Sequence, residues 1–192
     1  MKKKKLQELA TIKFCTISSS RAKEQDATTK WLACTNFMPD NTMHLSPTEN
    51  HLIPPEDLEI HPGDIIVKRI TPTFINYIET IPNGFYAGNN LIILTAKEGV
   101  SPKYLAMILN DEITEIAVLA SIGAVMKSIA RADLEELEIP VPDYEKQQII
   151  GELWYQTIEL KKMKMKLSNL ETLRNTYLIK KYIHSTGGKY NG

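Results

Sequence analysis

Several side chains that often carry catalysis are present in this sequence, but their spacing supports no active site. None of the four histidines has a cysteine or carboxylate at the spacing of a metal site; they are His44, His51, His61 and His184. The serines at residues 18–20 lack the flanking glycines of a nucleophile elbow. Gly84 and Gly88 lack the Lys-Ser/Thr ending of a phosphate-binding loop. We therefore predict no catalytic residue, no metal ligand and no cofactor.

The composition indicates a globular protein rather than a disordered or membrane-spanning one. The chain has 192 residues, of which 43% are hydrophobic and 24% charged, enough for one ordinary domain with an extension. No apolar run approaches the ~18 residues of a transmembrane helix, and the lysines at residues 2–5 are not followed by the apolar segment of a signal peptide. Cys15 and Cys34 are predicted to be reduced thiols. We expect a cytoplasmic protein with no membrane contact.

Charge is unevenly distributed along the chain, although the net charge is zero. Residues 1–142 carry 14 Lys/Arg against 18 Asp/Glu, a net charge of −4. Residues 143–192 carry 9 against 5, a net charge of +4. Because a domain that binds DNA on its own is usually basic, the acidic first part argues against strong unassisted DNA binding.

A long helix is the strongest structural prediction. Pro140 and Pro142 hold the chain extended, and Asp143 is a suitable N-cap. The apolar residues that follow recur at alternating steps of four and three, which is typical of a coiled-coil seam; they are Ile149, Leu153, Leu160, Met163, Leu167, Leu170 and Tyr177. Polar residues occupy the remaining seam positions, namely Gln156, Arg174 and Lys181. Such a helix is roughly 60 Å long and needs a partner helix, which we expect from another chain.

The rest of the chain is predicted to form an α+β domain without a βαβ repeat. Strands are predicted at residues 12–17, 31–34, 65–70, 73–80, 84–95 and 125–129, and a loop at residues 18–29. Ser101 and Pro102 begin a helix, and Asp111 is predicted to cap a second helix that ends at residues 121–123. The predicted domains are a globular domain at 1–142, a helix at 143–186 and a flexible tail at 187–192.

The region around residues 134–150 resembles the specificity subunit of type I restriction–modification systems. In that family each target-recognition domain ends in an Ile-Pro-apolar-Pro strand, and a turn containing glutamine then starts a long spacer helix. The matching residues are Ile139, Pro140, Val141, Pro142, Gln147 or Gln148, and Ile150. Further matches lie at residues 63–69 and 86–94, so the resemblance covers most of residues 60–184, and a weaker match covers residues 5–17. The family's full subunit has two recognition domains and two helices, so the resemblance implies a half-subunit.

The resemblance implies a non-catalytic subunit that selects a DNA sequence for a methyltransferase subunit and, in the complete system, a restriction subunit. Polar and basic side chains at loops and strand ends are the candidates for DNA contact; they are Arg21, Lys23, Lys68, Arg69, Thr71, Thr73, Asn76, Tyr77, Asn89, Asn90, Lys127 and Arg131. Arg69 and Lys127 rank highest because they lie beside matching segments. Each candidate is open to the alternative of an ordinary solvated side chain, and Asn89 and Asn90 to that of a turn.

The resemblance also implies that two helices run antiparallel. A homodimer through the seam residues is the simplest assembly, since a two-fold contact closes on itself. It would read a split, palindromic DNA site. The alternative function is a coiled-coil adaptor that binds proteins and has no role on DNA, and the residues alone do not distinguish DNA from protein as the ligand.

Overall fold

A computed structural model describes residues 2–16, 24–52, 58–119 and 128–186 of the chain. The strands, in chain order, are β1 (Lys2–Lys5), β2 (Ala10–Phe14), β3 (Glu24–Leu32), β4 (Thr48–Leu52), β5 (Ile65–Lys68), β6 (Ile75–Tyr77), β7 (Phe85–Ala87), β8 (Leu91–Ala96) and β9 (Glu138–Val141). The α-helices are α1 (Leu6–Leu9), α2 (Pro102–Leu119), α3 (Arg131–Glu135) and α4 (Tyr144–Thr186), and Cys34–Asn36 forms a 3-10 turn. The predicted α+β fold followed by one long helix is confirmed.

The central sheet has the order β2-β8-β5-β6 and is antiparallel throughout. In its two middle strands, residues 65–67 and 91–94 are all apolar and buried, because both faces of the sheet are covered there. In β5, Ile65 and Val67 belong to one buried cluster and Ile66 to the other. In β8, Ile92 and Leu94 likewise alternate with Leu91 and Ile93. The sheet therefore separates two cores.

One core lies between the central sheet and the helices. It contains Leu105, Leu109 and Ile113 of α2, which recur every four residues along one face of that helix, together with residues of α1, α3 and β9. The other core lies against a second sheet of order β4-β3-β7, in which β3 pairs parallel with β7. Trp31 and Leu32 of β3 are buried there.

Two predicted boundaries differ from the structure. Residues 24–29, predicted as loop, belong to β3, which pairs with β4. This stretch has no alternating pattern, and it is held by pairing. The single Thr29 hydroxyl proton has two backbone acceptors in β4, the oxygens of Asn50 at 3.1 Å and Leu52 at 3.0 Å, and the hydroxyl accepts from the Trp31 indole N–H at 2.8 Å. Asp111 does not cap a second helix, since α2 runs unbroken through it and its side chain is exposed.

Several other predictions meet the structure in part. Residues 73–80 contain a strand of only three residues, β6, and residues 84–95 contain two strands separated by a turn. Ser101 precedes α2, and its hydroxyl lies 3.4 Å from the backbone N–H of Tyr104, as expected of an N-cap. The predicted helix end at 121–123 and the tail at 187–192 lie outside the described residues. The predicted strand at 125–129 does so in part, although Ser128 forms an isolated bridge with Ile70.

The chain divides into two compact units, Met1–Tyr155 and Gln156–Gly192. The first unit includes the first turns of α4 because they pack closely on α2. A β-carbon at Gly151 would lie 2.8 Å from the carbonyl carbon of Lys103 and closer still to the backbone nitrogen of Tyr104. The Lys103 ammonium pairs with Glu152 at 2.7 Å and lies 4.3 Å from the centre of the Tyr155 ring. Within the second unit the described side chains are largely exposed.

Candidate nucleic-acid interface

Two arginines meet on one aromatic ring at an edge of the central sheet. The guanidinium carbons of Arg69 and Arg131 lie 5.7 and 4.4 Å from the centre of the Phe14 ring. Both separations are within the range of cation–π attraction, worth about 0.5–1 kcal/mol at exposed sites. This set of three side chains is called the arginine–phenylalanine cluster below.

Strand direction explains why the cluster forms. Strands β2 and β5 both pair antiparallel with β8, so their C-terminal ends lie beside the N-terminal end of β8. Phe14 is the last residue of β2 and pairs with Ile92, whereas Lys68 is the last residue of β5 and pairs with Leu91. Arg69 follows Lys68 directly. Arg131, the first residue of α3, is brought to the same edge because the segment before α3 pairs with Arg69 and Ile70.

Arg69 is held in place through its backbone and side chain. Its backbone N–H donates to the Asn90 oxygen at 2.9 Å, and its backbone oxygen accepts from the Ile129 N–H at 3.1 Å. Its Nε–H donates to the Ile129 oxygen at 3.0 Å, which uses one of the five guanidinium donors. Arg131 pairs with Glu135 at 3.0 Å and its side chain is 55% exposed. The cluster is therefore positioned by ordered backbone while one of its cations is open to solvent.

Other predicted contacts lie beside the cluster in the chain. Lys68 places its ammonium 5.1 Å from the centre of the Phe74 ring. Thr71 is exposed and Thr73 is half-buried, and both lie between β5 and β6. Asn90 has a left-handed backbone with φ of 65° in the turn before β8, and Asn89 is exposed in that turn. The backbone of Asn89 and Asn90 thus forms the turn that was the alternative prediction for this pair.

Asn76 and Tyr77 have structural partners instead. Asn76 is 1% exposed, and its amide donates to the Met38 oxygen at 2.9 Å. The Tyr77 ring packs edge-on against Tyr155, and burial together with a hydrogen bond to Glu79 raises the pKa of its hydroxyl. These contacts engage the Asn76 amide nitrogen and the Tyr77 ring, whereas the buried Asn76 amide oxygen has no hydrogen-bond partner among the described residues. The proposed interface omits both residues. Arg21, Lys23 and Lys127 lie outside the described residues.

The predicted seam of α4 is exposed to solvent. In the first unit, Ile149 and Leu153 are 55% and 60% exposed. In the second unit the exposed fraction is 51% for Leu160, 65% for Met163, 58% for Leu167, 54% for Leu170 and 64% for Tyr177. A continuous stripe of large exposed apolar side chains is characteristic of an interaction surface.

The sequence alone predicts no role for Phe14 and does not distinguish Gln147 from Gln148. No local signal marks Phe14, because its role depends on residues more than fifty positions away. Gln147 is 1% exposed, its side-chain oxygen accepts from the Ser101 N–H, and its side-chain nitrogen donates to the Pro142 oxygen. Gln148 is exposed.

The described part of the chain contains no metal-binding group and no membrane-spanning helix. Among residues 2–16, 24–52, 58–119 and 128–186, no three His, Cys, Asp or Glu side chains group as a metal site. No helix in the same ranges is long and apolar enough to cross a membrane.

The chain is similar to known DNA specificity proteins. Residues 1–172 match the model of the type I restriction modification DNA specificity domain. A structure described as the basis of complex assembly and conformational transition of the type I restriction–modification system matches with a TM-score of 0.65 at 19% identity, over 95% of this chain and 44% of that chain. None of the curated proteins matches the sequence.

Two further solved structures have the same fold. The HsdS subunit from Thermoanaerobacter tengcongensis matches with a TM-score of 0.58 at 18% identity, over 83% of this chain and 37% of that chain. The type I system S subunit from M. genitalium matches with a TM-score of 0.51 at 16% identity, over 95% and 44%. The chain thus spans less than half of the length of these solved relatives.

Proposed function

Because the chain belongs to the family of type I restriction–modification DNA specificity domains, we propose that it is a sequence-specific DNA-recognition subunit. It directs a methyltransferase subunit, and in a complete system a restriction subunit, to a target in double-stranded DNA. The chain itself is non-catalytic in this proposal and takes no cofactor, since the methyl donor and ATP are used by its partners. We also propose a cytoplasmic location, because its target is the DNA of the cell.

The arginine–phenylalanine cluster is the single observation that links the proposed DNA recognition to particular residues. Arginine is the side chain best suited to guanine, because its planar donors match two acceptors on that base in the major groove. Stacking on Phe14 restricts the orientation of both guanidinium groups, and the backbone bonds of Arg69 fix where its side chain starts. We therefore propose Phe14, Arg69 and Arg131 as the centre of the interface. Lys68, Thr71, Thr73, Asn89 and Asn90 flank it, and Arg21, Lys23 and Lys127 remain proposed contacts.

A second part of the proposal concerns assembly. The chain has one globular unit and one long helix, and it spans 44% of the first solved relative. We propose that two copies associate through the exposed seam of α4, with the helices antiparallel, to form a homodimer. Two identical recognition domains would then read a split, palindromic site whose half-sites lie on the order of one DNA turn apart.

The charge of residues 1–142 favours one alternative function. A net charge of −4 on this part is unusual for a protein that grips DNA alone, and a coiled-coil adaptor that binds only proteins would fit it. In our proposal the methyltransferase supplies most of the phosphate contacts, so the chain alone should bind DNA weakly. Binding that becomes sequence-specific only with the methyltransferase distinguishes recognition from the adaptor.

Methylation mapping tests the function. The chain is co-expressed with a methyltransferase subunit of a type I system, and modified bases are located across the genome. We expect one split, palindromic motif to be modified, and none in a matched strain that expresses the methyltransferase alone. The same motif in both strains would show that the chain does not select the target. Methyl transfer by the purified chain without a partner would contradict the non-catalytic part.

A further inference from the structure

The second unit contains a run of seam positions whose polarity is symmetric about its own centre. This run begins with the polar residue Gln156 and ends with the polar residue Arg174. The four seam positions between them are apolar, namely Leu160, Met163, Leu167 and Leu170. The centre of this run is Met165, which lies outside the seam. Gln156 and Arg174 are both exposed in the single chain. A polar residue at one seam position costs stability but specifies register and orientation in coiled coils.

We propose that two copies of α4 pack antiparallel with their two-fold axis at Met165, so that Gln156 of each copy faces the partner's Arg174. This inference rests on the homodimer proposed above and adds its register and the residues that select it. Leu160 then faces the partner's Leu170, and Met163 faces the partner's Leu167. All four apolar positions meet apolar positions. Both polar positions meet each other, where the Gln156 amide oxygen can accept a hydrogen bond from the guanidinium.

Other alignments of the same two helices place polar seam residues of this run against apolar or like-charged ones. A parallel dimer places Arg174 against the partner's Arg174, which brings two like charges together inside the interface. An antiparallel shift by one heptad in one direction places Gln156 against the partner's Leu167. A shift in the other direction places Arg174 against the partner's Met163. Because burying a polar group against an apolar side chain is costly, the centred register is favoured within this run. Beyond the run, Lys181 faces the partner's Ile149, where a long lysine side chain can extend its ammonium to solvent.

The centred register also brings two lysine positions next to their own copies. Lys164 and Lys166 flank the seam on either side of Met165, so each lies near the same residue of the partner across the axis. Both lysines are exposed in the single chain, so the repulsion between their like charges is screened and smaller than that between two arginines inside the interface. In either shifted register, and in a parallel dimer, neither lysine lies opposite its own copy. A cysteine at position 164 therefore reports this register by forming a disulfide with itself.

Oxidative cross-linking tests the register. Lys164→Cys is compared with Lys161→Cys, which lies on the outer face of the helix, and with the unsubstituted chain as a control for Cys15 and Cys34. We expect a cross-linked dimer for Lys164→Cys and only background for the two controls. A variant that remains dimeric by light scattering but does not cross-link overturns the register while leaving the homodimer intact.

A charge exchange tests the polar pair itself. Gln156→Arg places an arginine opposite the partner's Arg174, and we expect the dimer dissociation constant to rise about tenfold or more. Combining it with Arg174→Gln exchanges the two residues without changing composition, and we expect affinity to return to within about twofold of the original. A double variant as weak as the single one overturns the pairing. A monomeric wild-type chain overturns the homodimer. Methylation mapping tests DNA recognition independently of the homodimer and of the Gln156–Arg174 pairing.

Discussion

The backbone N–H of Ser101 donates a hydrogen bond to the side-chain oxygen of Gln147 at 3.0 Å, across 46 positions of sequence. The side-chain nitrogen of Gln147 donates to the Pro142 backbone oxygen at 2.8 Å. One buried side chain thus joins the start of α2, the segment after β9 and the first turn of α4. It satisfies a donor at a helix N-terminus that would otherwise be buried without a partner.

Gln147→Ala should destabilise the protein by about 1–3 kcal/mol, because it leaves the Ser101 N–H and the Pro142 oxygen without this partner. Urea unfolding followed by circular dichroism measures the change. Gln148→Ala is the matched control, since Gln148 is the exposed neighbour in the same helical turn, and it should change stability by less than about 0.5 kcal/mol. Equal effects of the two changes would contradict the structural role of Gln147.

Gly151→Ala should destabilise by roughly 1–3 kcal/mol, because the new β-carbon overlaps the backbone at Lys103 and Tyr104. The sign is informative on its own. At an unobstructed helical position alanine is more stable than glycine by about 0.5–1 kcal/mol. Thermal unfolding gives the sign directly, and a gain in stability would mean that α4 does not approach α2 this closely.

Arg69→Ala and Arg131→Ala should each weaken sequence-specific binding by about 1–3 kcal/mol if the residue makes a bidentate contact with a base. Phe14→Leu keeps charge and approximate volume but removes the ring, so it should also relax specificity. Binding of a methyltransferase complex to cognate and scrambled DNA measures these effects. Lys97→Ala is the charge-matched control, because Lys97 follows β8 at the opposite edge of the sheet. Wild-type preference in all three variants would remove the cluster from the interface.

Leu160→Glu combined with Leu167→Glu should separate the homodimer, because it places four carboxylates per dimer in an apolar interface. Size exclusion with light scattering at tens of micromolar distinguishes the two states. Lys161→Glu combined with Ser168→Glu adds the same number of carboxylates on the outer face and should leave the dimer intact. A dimer that persists in the seam variant would mean that the seam is not the contact.

Stability should fall at high pH through Tyr77. Burial and the hydrogen bond to Glu79 raise the pKa of its hydroxyl above the ordinary value of about 10. The neutral form is favoured in the folded protein, so this contribution is complete below pH about 10 and is lost as the pH rises through the raised pKa. Urea midpoints across this range should fall less steeply in Tyr77→Phe than in the wild type. Parallel falls would show that Tyr77 does not contribute.

The sequence predicted those elements whose own residues carry the pattern. The two prolines before Asp143 and the repeating seam predict α4 within a residue or two of its bounds, and the apolar run at residues 65–67 predicts β5. Strand β1 was missed because it consists of four lysines, and its partner β9 lies more than 130 positions away. The start of β3 was missed for the same reason, since its stability comes from pairing and not from its own pattern.

The interface was harder to predict than the fold. Arg69 and Arg131 were selected by residue type, but nothing in the sequence shows that they share Phe14. Asn76 was selected by the same criterion and is buried, because a three-residue strand does not reveal which of its sides faces the core. Contacts set by strand direction and by distant segments become visible only when the sheet order is known.

The pairing of β1 with β9 has an evolutionary consequence. Lys2 lies opposite Val141 and Lys5 opposite Glu138 in this antiparallel ribbon, so the two ends of the segment between β1 and β9 lie at neighbouring points. A unit with this arrangement can be cut out, duplicated or exchanged for another by recombination without rerouting any internal strand. In our proposal, acquiring a new DNA target would then require replacing the segment between the two strands, while α4 is inherited unchanged.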